Sequence, residues 1–370
     1  MIEEAKTEEP VKKTLLKGLT PKELKDFFAA VGEKRFRGDQ LFEWVYGHMV
    51  ENFDEMTTLP NYLRKKLNLY CELNSLSLVT TQTSPRSGTR KYLFKTFDNQ
   101  LIESVIIPEP KRITLCISTQ VGCPLDCQFC ATGLMGYRRN LSPAEILDQF
   151  LLASKEFGRN KISNIVYMGM GEPLLNYANT FKSLQIFAEE KIRDISLKRV
   201  TVSTAGIAPK IIELADSGLK VKIAFSLHSM FEETRSKIMP INNKYSLAEN
   251  LEAVKYYAKQ TDTRITFEYI MLKDLNDRSD DLNALIKLCK SIPCKINVIP
   301  FNSIAHMNPT GFAKELEPSQ KFVIDEFVKT LRDNNITVIV RYTQGDDIAA
   351  ACGQLANKTI SEPLAKAEVN

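Results

Sequence analysis

Six β-rich runs, each followed by a helix-like stretch, govern what this chain can fold into. They are ITLCIS from residue 113, NIVYMGM from 164, RVTVST from 199, KIAFSLH from 222, ITFEYIML from 265 and KINVIPF from 295. Strands that alternate with helices at spacings of about 20 to 50 residues build βα units and a parallel sheet. A seventh run, ITVIVR from 336, adds an edge strand. Six units rather than eight predict an α/β fold, either an incomplete (βα)6 barrel or an open doubly wound sheet. Both place their chemistry at the C-terminal ends of the strands. An open barrel also admits a bulky substrate.

The rest of the chain is organised around this block. Residues 1–13 mix Glu and Lys without apolar periodicity, and 356–370 are rich in Ala, Lys and Glu, so both ends are expected to be mobile. Over 14–75 the pattern is helical. TPKELKDFFAAVG opens with a Thr cap, a Pro at the first helical position and a Glu three residues after the cap, and GDQLFEWVYGHM and LPNYLRKKLNLY predict two more helices. Lys34, Arg35, Arg37, Arg64, Lys65 and Lys66 let this unit meet nucleic-acid phosphates through local charge, although solvated helix faces carry the same residues. KYLFKTF and LIESVII, separated by DNQ, predict a β-hairpin linker over 76–110 leading into the main domain at 111–355.

Global charge is uninformative, since 49 basic side chains stand against 45 acidic ones. With 44% hydrophobic and 25% charged residues, whole-chain disorder, collagen and coiled coil are excluded. No apolar window is long enough to span a membrane, and MIEEAKTEEP is not a basic-then-apolar signal, so an unanchored cytoplasmic protein is expected. A monomer is the default expectation.

Of the eight cysteines, three cluster in VGCPLDCQFCATG as C-x3-C-x2-C: Cys123, Cys127 and Cys130. They follow the first barrel strand, at the end where βα chemistry belongs. Three thiolates can hold three irons of a 4Fe-4S cubane and leave the fourth iron open to an outside ligand. Zinc is the competing reading, but it wants a closed four-ligand shell, and no fourth ligand lies at zinc-finger spacing after Cys130. Phe129 suits an apolar shield or plain core packing. In YMGMGEPLLN, Gly169 and Gly171 allow backbone to approach a ligand and Glu172 offers a carboxylate to an ammonium. A G-x-G-x-x-G dinucleotide site is unlike this segment, because Leu174 follows. Ser203, Ser226, His228 and Asn302 stand at later strand ends, each a candidate cap residue alone and together a coherent pocket.

The cysteine spacing on a βα domain resembles the radical S-adenosylmethionine superfamily. That resemblance implies a 4Fe-4S cluster on Cys123, Cys127 and Cys130, with S-adenosylmethionine chelated by the open iron and held by Gly171, Glu172, Ser203, Ser226, Leu227, His228 and Asn302. An electron from the cluster would cleave the sulfonium bond and free a 5′-deoxyadenosyl radical, chemistry that belongs to the cofactor.

The longer segments CISTQVGCPLDCQFCATG, MGMGEPLLN, SLHS with RSKIMPINNKY, CKINVIPFN and GDDIAAACGQL resemble the RlmN family, which methylates C2 of adenosine in large-subunit rRNA and tRNA. The likeness runs from about Leu101 to about Leu355, and the helical unit is similar to the family's RNA-meeting accessory domain. It implies two S-adenosylmethionine molecules per turnover: one methylates Cys352, and the other supplies the radical that activates the new methyl group for addition to C2. It further implies that Glu103 takes the C2 proton and that Cys116 resolves the RNA–protein adduct by forming a disulfide with Cys352. Adenine C2 is electrophilic, so a nucleophilic carbon radical suits it where an electrophilic methyl does not. The base must also leave its stack, which favours RNA loops. A small flavoprotein or ferredoxin is the expected electron donor. The competing readings are a Cfr-like enzyme acting at C8 and a metal-stabilised RNA-binding protein without a reaction. Pro173 and LLN after GMGE favour C2 over C8. Cys71, Cys289 and Cys294 carry no functional expectation.

Overall fold

The computed structural model describes residues 13–190, 192, 195–341 and 344–356. Of the two stretches expected to be mobile, only Lys13 and Ala356 lie within the described residues.

The first unit comprises β1 (Thr14–Leu15), α1 (Pro21–Ala30), α2 (Arg37–Phe42), α3 (Asn61–Tyr70) and β2 (Cys71–Glu72), with β1 and β2 paired in parallel. The expected cap on α1 is present: the Glu23 backbone N–H donates to Thr20 Oγ1 at 3.3 Å, and Glu23 Oε2 accepts from the Thr20 N–H at 2.8 Å. Leu24 and Phe28 of α1, Leu41 of α2 and Leu63 and Leu67 of α3 point inward at helical spacing and are buried. Several of the unit's basic residues are locally engaged. Arg35 pairs with Asp26 at 2.7 Å, and Arg64 and Lys66 donate to the carbonyls of Asp54 and Val31.

Then come β3 (Leu76–Thr83), β4 (Arg90–Thr96) and β5 (Leu101–Glu109), an antiparallel meander. The segment read as a two-stranded linker therefore has three strands, and it is continuous with the main sheet, because β5 pairs antiparallel with β6 (Arg112–Cys116). A small hairpin, β7 (Gln120–Gly122) and β8 (Tyr137–Asn140), brackets the cysteine loop and its short helix α4 (Ala131–Leu134).

The βα units follow: α5 (Pro143–Phe157), β9 (Asn164–Tyr167), α6 (Tyr177–Phe187), β10 (Val200–Thr204), α7 (Ala208–Asp216), β11 (Lys222–Ser226), α8 (Glu232–Ile238), α9 (Leu247–Thr261), β12 (Ile265–Met271), α10 (Ser279–Ser291), β13 (Cys294–Pro300), α11 (Phe312–Glu315), α12 (Lys321–Asp333) and β14 (Val338–Val340). The ten-stranded sheet has the order β14-β13-β12-β11-β10-β9-β6-β5-β4-β3, parallel from β6 through β14. Six expected runs form the six parallel strands of the partial barrel, and ITVIVR supplies the edge strand β14. Ser142 and Ser246 cap α5 and α9 in the same reciprocal manner as Thr20, so three helices start where polar side chains satisfy their free N–H groups.

A buried ion pair ties the first unit to the barrel. Lys17 contacts Asp148 on α5, and the other Asp148 oxygen accepts from the backbone N–H groups of Ser75 at 2.7 Å and Leu76 at 3.2 Å. No described helix is long and apolar enough to cross a membrane.

Candidate active site

The cysteine loop is pinched at its neck by glycine. Gly122 has φ +74, and a Cβ there would stand 1.9 Å from the Gly136 carbonyl oxygen, which accepts the Cys123 N–H at 2.9 Å. Within the loop the Cys130 N–H donates to the Cys127 carbonyl at 3.0 Å, and Cys123, Cys127 and Cys130 all face one cavity at the C-terminal end of the barrel. Burial pushes the Cys123 thiol up to about 12 and the Cys127 thiol well above its ordinary value, and the neighbouring thiols push both further. Beneath them Arg235, fully buried, pulls the Cys127 thiol back down. Three close cysteines over a buried cation fit an anionic iron–sulfur cluster. Among the described residues no three His, Cys, Asp or Glu side chains converge on a single metal ion. A cubane needs less convergence than zinc, because each thiolate takes its own iron.

The opposite wall is built from the ends of β9, β10 and β11. Gly169, Gly171, Glu172, Ser203, Ser226 and His228 line the same cavity. Gly171 has φ +97, and a Cβ would come within 2.5 Å of the Gln120 side chain. Gln120 Oε1 accepts the Glu172 N–H at 2.8 Å, while the Glu172 carboxylate accepts from the Leu174 N–H at 3.0 Å and the Ala205 N–H at 2.8 Å. Burial nevertheless dominates and pushes the Glu172 carboxyl up to about 7. His228, at φ +55, accepts the Ile270 N–H on Nδ1 at 3.1 Å, which assigns its remaining proton to Nε2. Burial, helped by the charge of Arg235, lowers it to about 3, so the ring is neutral at physiological pH. Phe129 meets it edge to face with centroids 4.8 Å apart and also lines the cavity.

Leu227 and Asn302 stand apart from this wall. The Leu227 side chain is fully buried in the hydrophobic core because its backbone alternates away from Ser226, so it does not line the cavity. Asn302 donates to the Cys352 carbonyl at 3.1 Å, positioning that loop instead of sharing the wall of the other candidates.

Cys116, at the end of β6, and Cys352, in the C-terminal loop, both line the cavity that holds the cysteine triplet. All eight cysteines are free thiols. The Cys352 residue is exposed, but the surface it presents is the concave wall, where the surrounding protein thins the solvent. That desolvation pushes its thiol up to about 11, opposed by the charge of Arg341. Burial likewise pushes Cys116 up to about 12, and proximity to Cys352 adds to it.

Glu103 is buried just beyond the cavity. It shares a strand face with Val105, which does line it, and sits 3.3 Å from Lys91 Nζ. Burial raises its carboxyl, while Lys91 and the Ala356 backbone hold it down. Lys91 also donates to the Ala349 carbonyl at 3.4 Å, so the Lys91–Glu103 pair grips the Cys352 loop near both ends.

Several residues that hold the site were not singled out from the sequence. Arg235 donates to the carbonyls of Ala205, Ser226 and Leu227 and to Asn242 Oδ1, joining the ends of β10 and β11. Gln149 of α5 accepts the Ser118 N–H at 2.7 Å and donates to the Ser118 carbonyl at 2.9 Å, fixing the turn after Cys116. Arg341 and Glu268 add an ion pair to the cavity wall. The available signal was a Gln on the apolar face of α5.

Comparison with known proteins agrees with this geometry. The family model for the radical SAM superfamily matches residues 117–289, and that for the ribosomal RNA large subunit methyltransferase N-terminal domain matches residues 14–73. A probable dual-specificity RNA methyltransferase RlmN from Thermotoga neapolitana is 44% identical over 344 residues, covering 92% of this chain and 97% of its own. The dual-specificity RNA methyltransferase RlmN of Alcanivorax borkumensis is 41% identical over 94% of this chain and 91% of its own. The crystal structure of a radical SAM methyltransferase from Sphaerobacter thermophilus superimposes with a TM-score of 0.85 at 38% identity, covering 93% of this chain and 99% of that one. The superfamily works with a 4Fe-4S cluster and S-adenosylmethionine, which is what a cysteine triplet facing a recessed, carboxylate-bearing wall can accommodate. With a matching first unit, a matching barrel and relatives aligned along nearly their whole lengths, this chain belongs to the RlmN family of radical SAM RNA methyltransferases.

Proposed function

We propose that this enzyme methylates C2 of adenosine in both large-subunit rRNA and tRNA, using Cys352 as the methyl carrier and Cys116 as the resolving thiol. The observation that carries this reading is the placement of Cys116 and Cys352 on the wall of the same cavity as Cys123, Cys127 and Cys130. A methyl carrier must stand within reach of radical chemistry without being a cluster ligand. When bound, the 4Fe-4S cluster and S-adenosylmethionine supply a hydrogen-abstracting radical.

The chain's own residues do the rest. The cysteine triplet holds the cluster, and the Glu172 carboxylate takes the ammonium of the cofactor while Gly171 lets the backbone close on it. Ser203, Ser226 and neutral His228 offer polar contacts beside them, and Phe129 excludes water from the same side. The Cys352 thiolate would accept a methyl group by displacement from one S-adenosylmethionine, its new carbon–sulfur bond replacing the sulfonium one as S-adenosylhomocysteine leaves. Glu103, raised by burial, accepts the C2 proton. Cys116, losing its proton, then attacks the Cys352 sulfur, forming the S–S bond as the carbon–sulfur bond breaks; the carbon keeps the electron pair and takes a proton to become the product methyl. A reducing flavoprotein or ferredoxin supplies electrons, and the first unit contributes RNA contacts.

The test is anaerobic. Reconstituted protein is given S-adenosylmethionine, reductant and unmodified rRNA or tRNA, and the nucleosides are analysed by mass spectrometry. The expected products are 5′-deoxyadenosine and 2-methyladenosine with either RNA. Production of 8-methyladenosine, or 5′-deoxyadenosine without RNA methylation, overturns the assignment.

A further inference from the structure

The cavity has a second end. Inward positions alternate along each parallel strand, so residues two or four places before the active-site side chains face the same lumen closer to the strand N-termini. Thr114 and Arg112 precede Cys116 on β6, Thr201 precedes Ser203 on β10, and Lys222 precedes Ser226 on β11; all four line a second cavity with Lys295 of β13. Cys352, Glu268 and Arg341 border both cavities, so the lumen leads from the N-terminal mouth to the Cys352 loop.

At the C-terminal end the cysteine loop and the Cys352 loop are fastened together: the Ala131 N–H donates to the Gly353 carbonyl at 2.7 Å, and Thr132 Oγ1 donates to the Leu355 carbonyl at 2.7 Å. The Gln128 N–H donates to the Ile238 carbonyl at 3.0 Å, which joins the same loop to the end of α8.

The two ends differ in charge. Four cations, Arg112, Lys222, Lys295 and Arg341, face the N-terminal cavity against the carboxylates of Glu109 and Glu268. Arg112 is paired with Glu109 and Arg341 faces Glu268 at 3.6 Å, whereas no ion pair holds Lys222 or Lys295 among the described residues. Lys295 is half-buried, and desolvation together with Lys222, Arg112 and Arg341 works against its charge, with only Glu268 in its favour. Uncompensated cations around a passage call for an anion that enters it.

We propose that substrate RNA reaches Cys352 through the N-terminal mouth of the barrel, with Lys222 and Lys295 holding the phosphates that flank the unstacked target adenosine. The proposal rests on the RNA-methyltransferase reading and adds to it a route and a phosphate site. An unpaired loop nucleotide is narrow enough to thread a barrel lumen, and its flanking phosphates remain at the rim.

The test uses the reconstituted holoenzyme and an unmodified RNA hairpin carrying the target adenosine. Affinity is measured against salt concentration for wild type, for Lys222→Gln with Lys295→Gln, and for Lys222→Arg with Lys295→Arg. Binding by the Gln pair is expected to weaken about tenfold, with the log–log salt slope reduced by about 0.7 for each phosphate that is no longer neutralised. The Arg pair is expected to keep wild-type affinity and slope. Iron and sulfide content report folding, and if the Gln pair loses iron, Lys222→Gln alone repeats the test at an exposed side chain. Wild-type affinity and slope in an iron-replete Gln variant overturn the proposal, as does equal loss in the Arg pair. Stabilisation of wild type by inorganic phosphate, lost in the Gln pair while RNA binding is unchanged, would assign the site to a free anion and overturn the route. If wild type itself neither binds nor methylates RNA, the RNA-methyltransferase reading fails instead.

Discussion

Arg341 places its guanidinium 3.6 Å from the carboxylate of Glu268, on the wall shared with Cys352 and Cys116. Asn297 donates to the other Glu268 oxygen at 2.8 Å, so the carboxylate is held and the cation stays close to the two thiols. Burial works against the Arg341 charge, and Glu268 and the thiols more than offset it. Desolvation is the larger influence on Cys352, and Arg341 is the group that lowers it.

Arg341→Gln is therefore expected to raise the Cys352 thiol further above its value of about 11. Each unit removes about nine-tenths of the thiolate available near neutral pH. Alkylation of Cys352 by a small neutral reagent, followed by peptide mass spectrometry between pH 8 and pH 10, should slow several-fold in the variant. Unchanged alkylation would show that Arg341 does not act on the thiol.

Glu172 gives a pH dependence with a definite sign. Its carboxyl is pushed up to about 7, so in the ligand-free site the proton is held until the pH rises through that value. An ammonium ligand prefers the carboxylate, so S-adenosylmethionine affinity should rise between pH 6 and pH 7.5 with release of a proton. It should level or fall as the α-amino group, near about pH 8, loses its own charge. Calorimetry in buffers of different ionisation enthalpy measures the proton directly. Glu172→Gln should weaken binding and abolish the rise; a rise that persists in the variant assigns it to another group.

The barrel was legible because each parallel strand is an apolar run followed by an amphipathic helix, and the capped starts of α1, α5 and α9 are local signals. LSLVTTQT was not legible as a strand because most residues of β3 are exposed, leaving no clean apolar alternation to count. The cysteine triplet was readable from spacing, whereas Cys116 and Cys352 are separated by more than half the chain and meet only through the closure of the sheet. Arg235 was hidden for a different reason. A charged residue in RSKIM reads as a solvated helix face, and its burial is dictated by three strand-end carbonyls that only the assembled barrel brings together.

Asp148 joins the two units, since it takes Lys17 on one oxygen and the turn into β3 on the other. Asp148→Ala leaves the buried Lys17 ammonium without its counter-charge and with only Asn74 Oδ1 to accept from it, a change that costs about 3–5 kcal/mol. Lowered thermal stability, with increased proteolytic cleavage near residues 73–76, is the expected outcome. Lys17→Met, which removes the unpaired charge as well, should be milder when added to the Asp148 change. A double variant no more stable than Asp148→Ala alone would show that the loss comes from the turn and not from the ion pair.

The two cavity thiols should fail in different ways when removed. Cys352 lies outside the triplet, so Cys352→Ala is expected to keep its iron and sulfide while losing RNA methylation and any protein-bound methyl group; loss of iron in this variant would remove the carrier assignment. In the proposed mechanism Cys116 acts after the carbon–carbon bond has formed. Its thiol is pushed up to about 12 by burial and by Cys352, which keeps it protonated near neutral pH. In Cys116→Ala the methyl carrier is expected still to form and to add to the base, with no thiol at position 116 to take the sulfur back. RNA should therefore remain covalently attached to the protein through Cys352, visible as a nuclease-sensitive retarded band under denaturing conditions. A band of normal mobility, accompanied by wild-type turnover, would mean that Cys352 is released without its neighbour and that Cys116 only fills the wall.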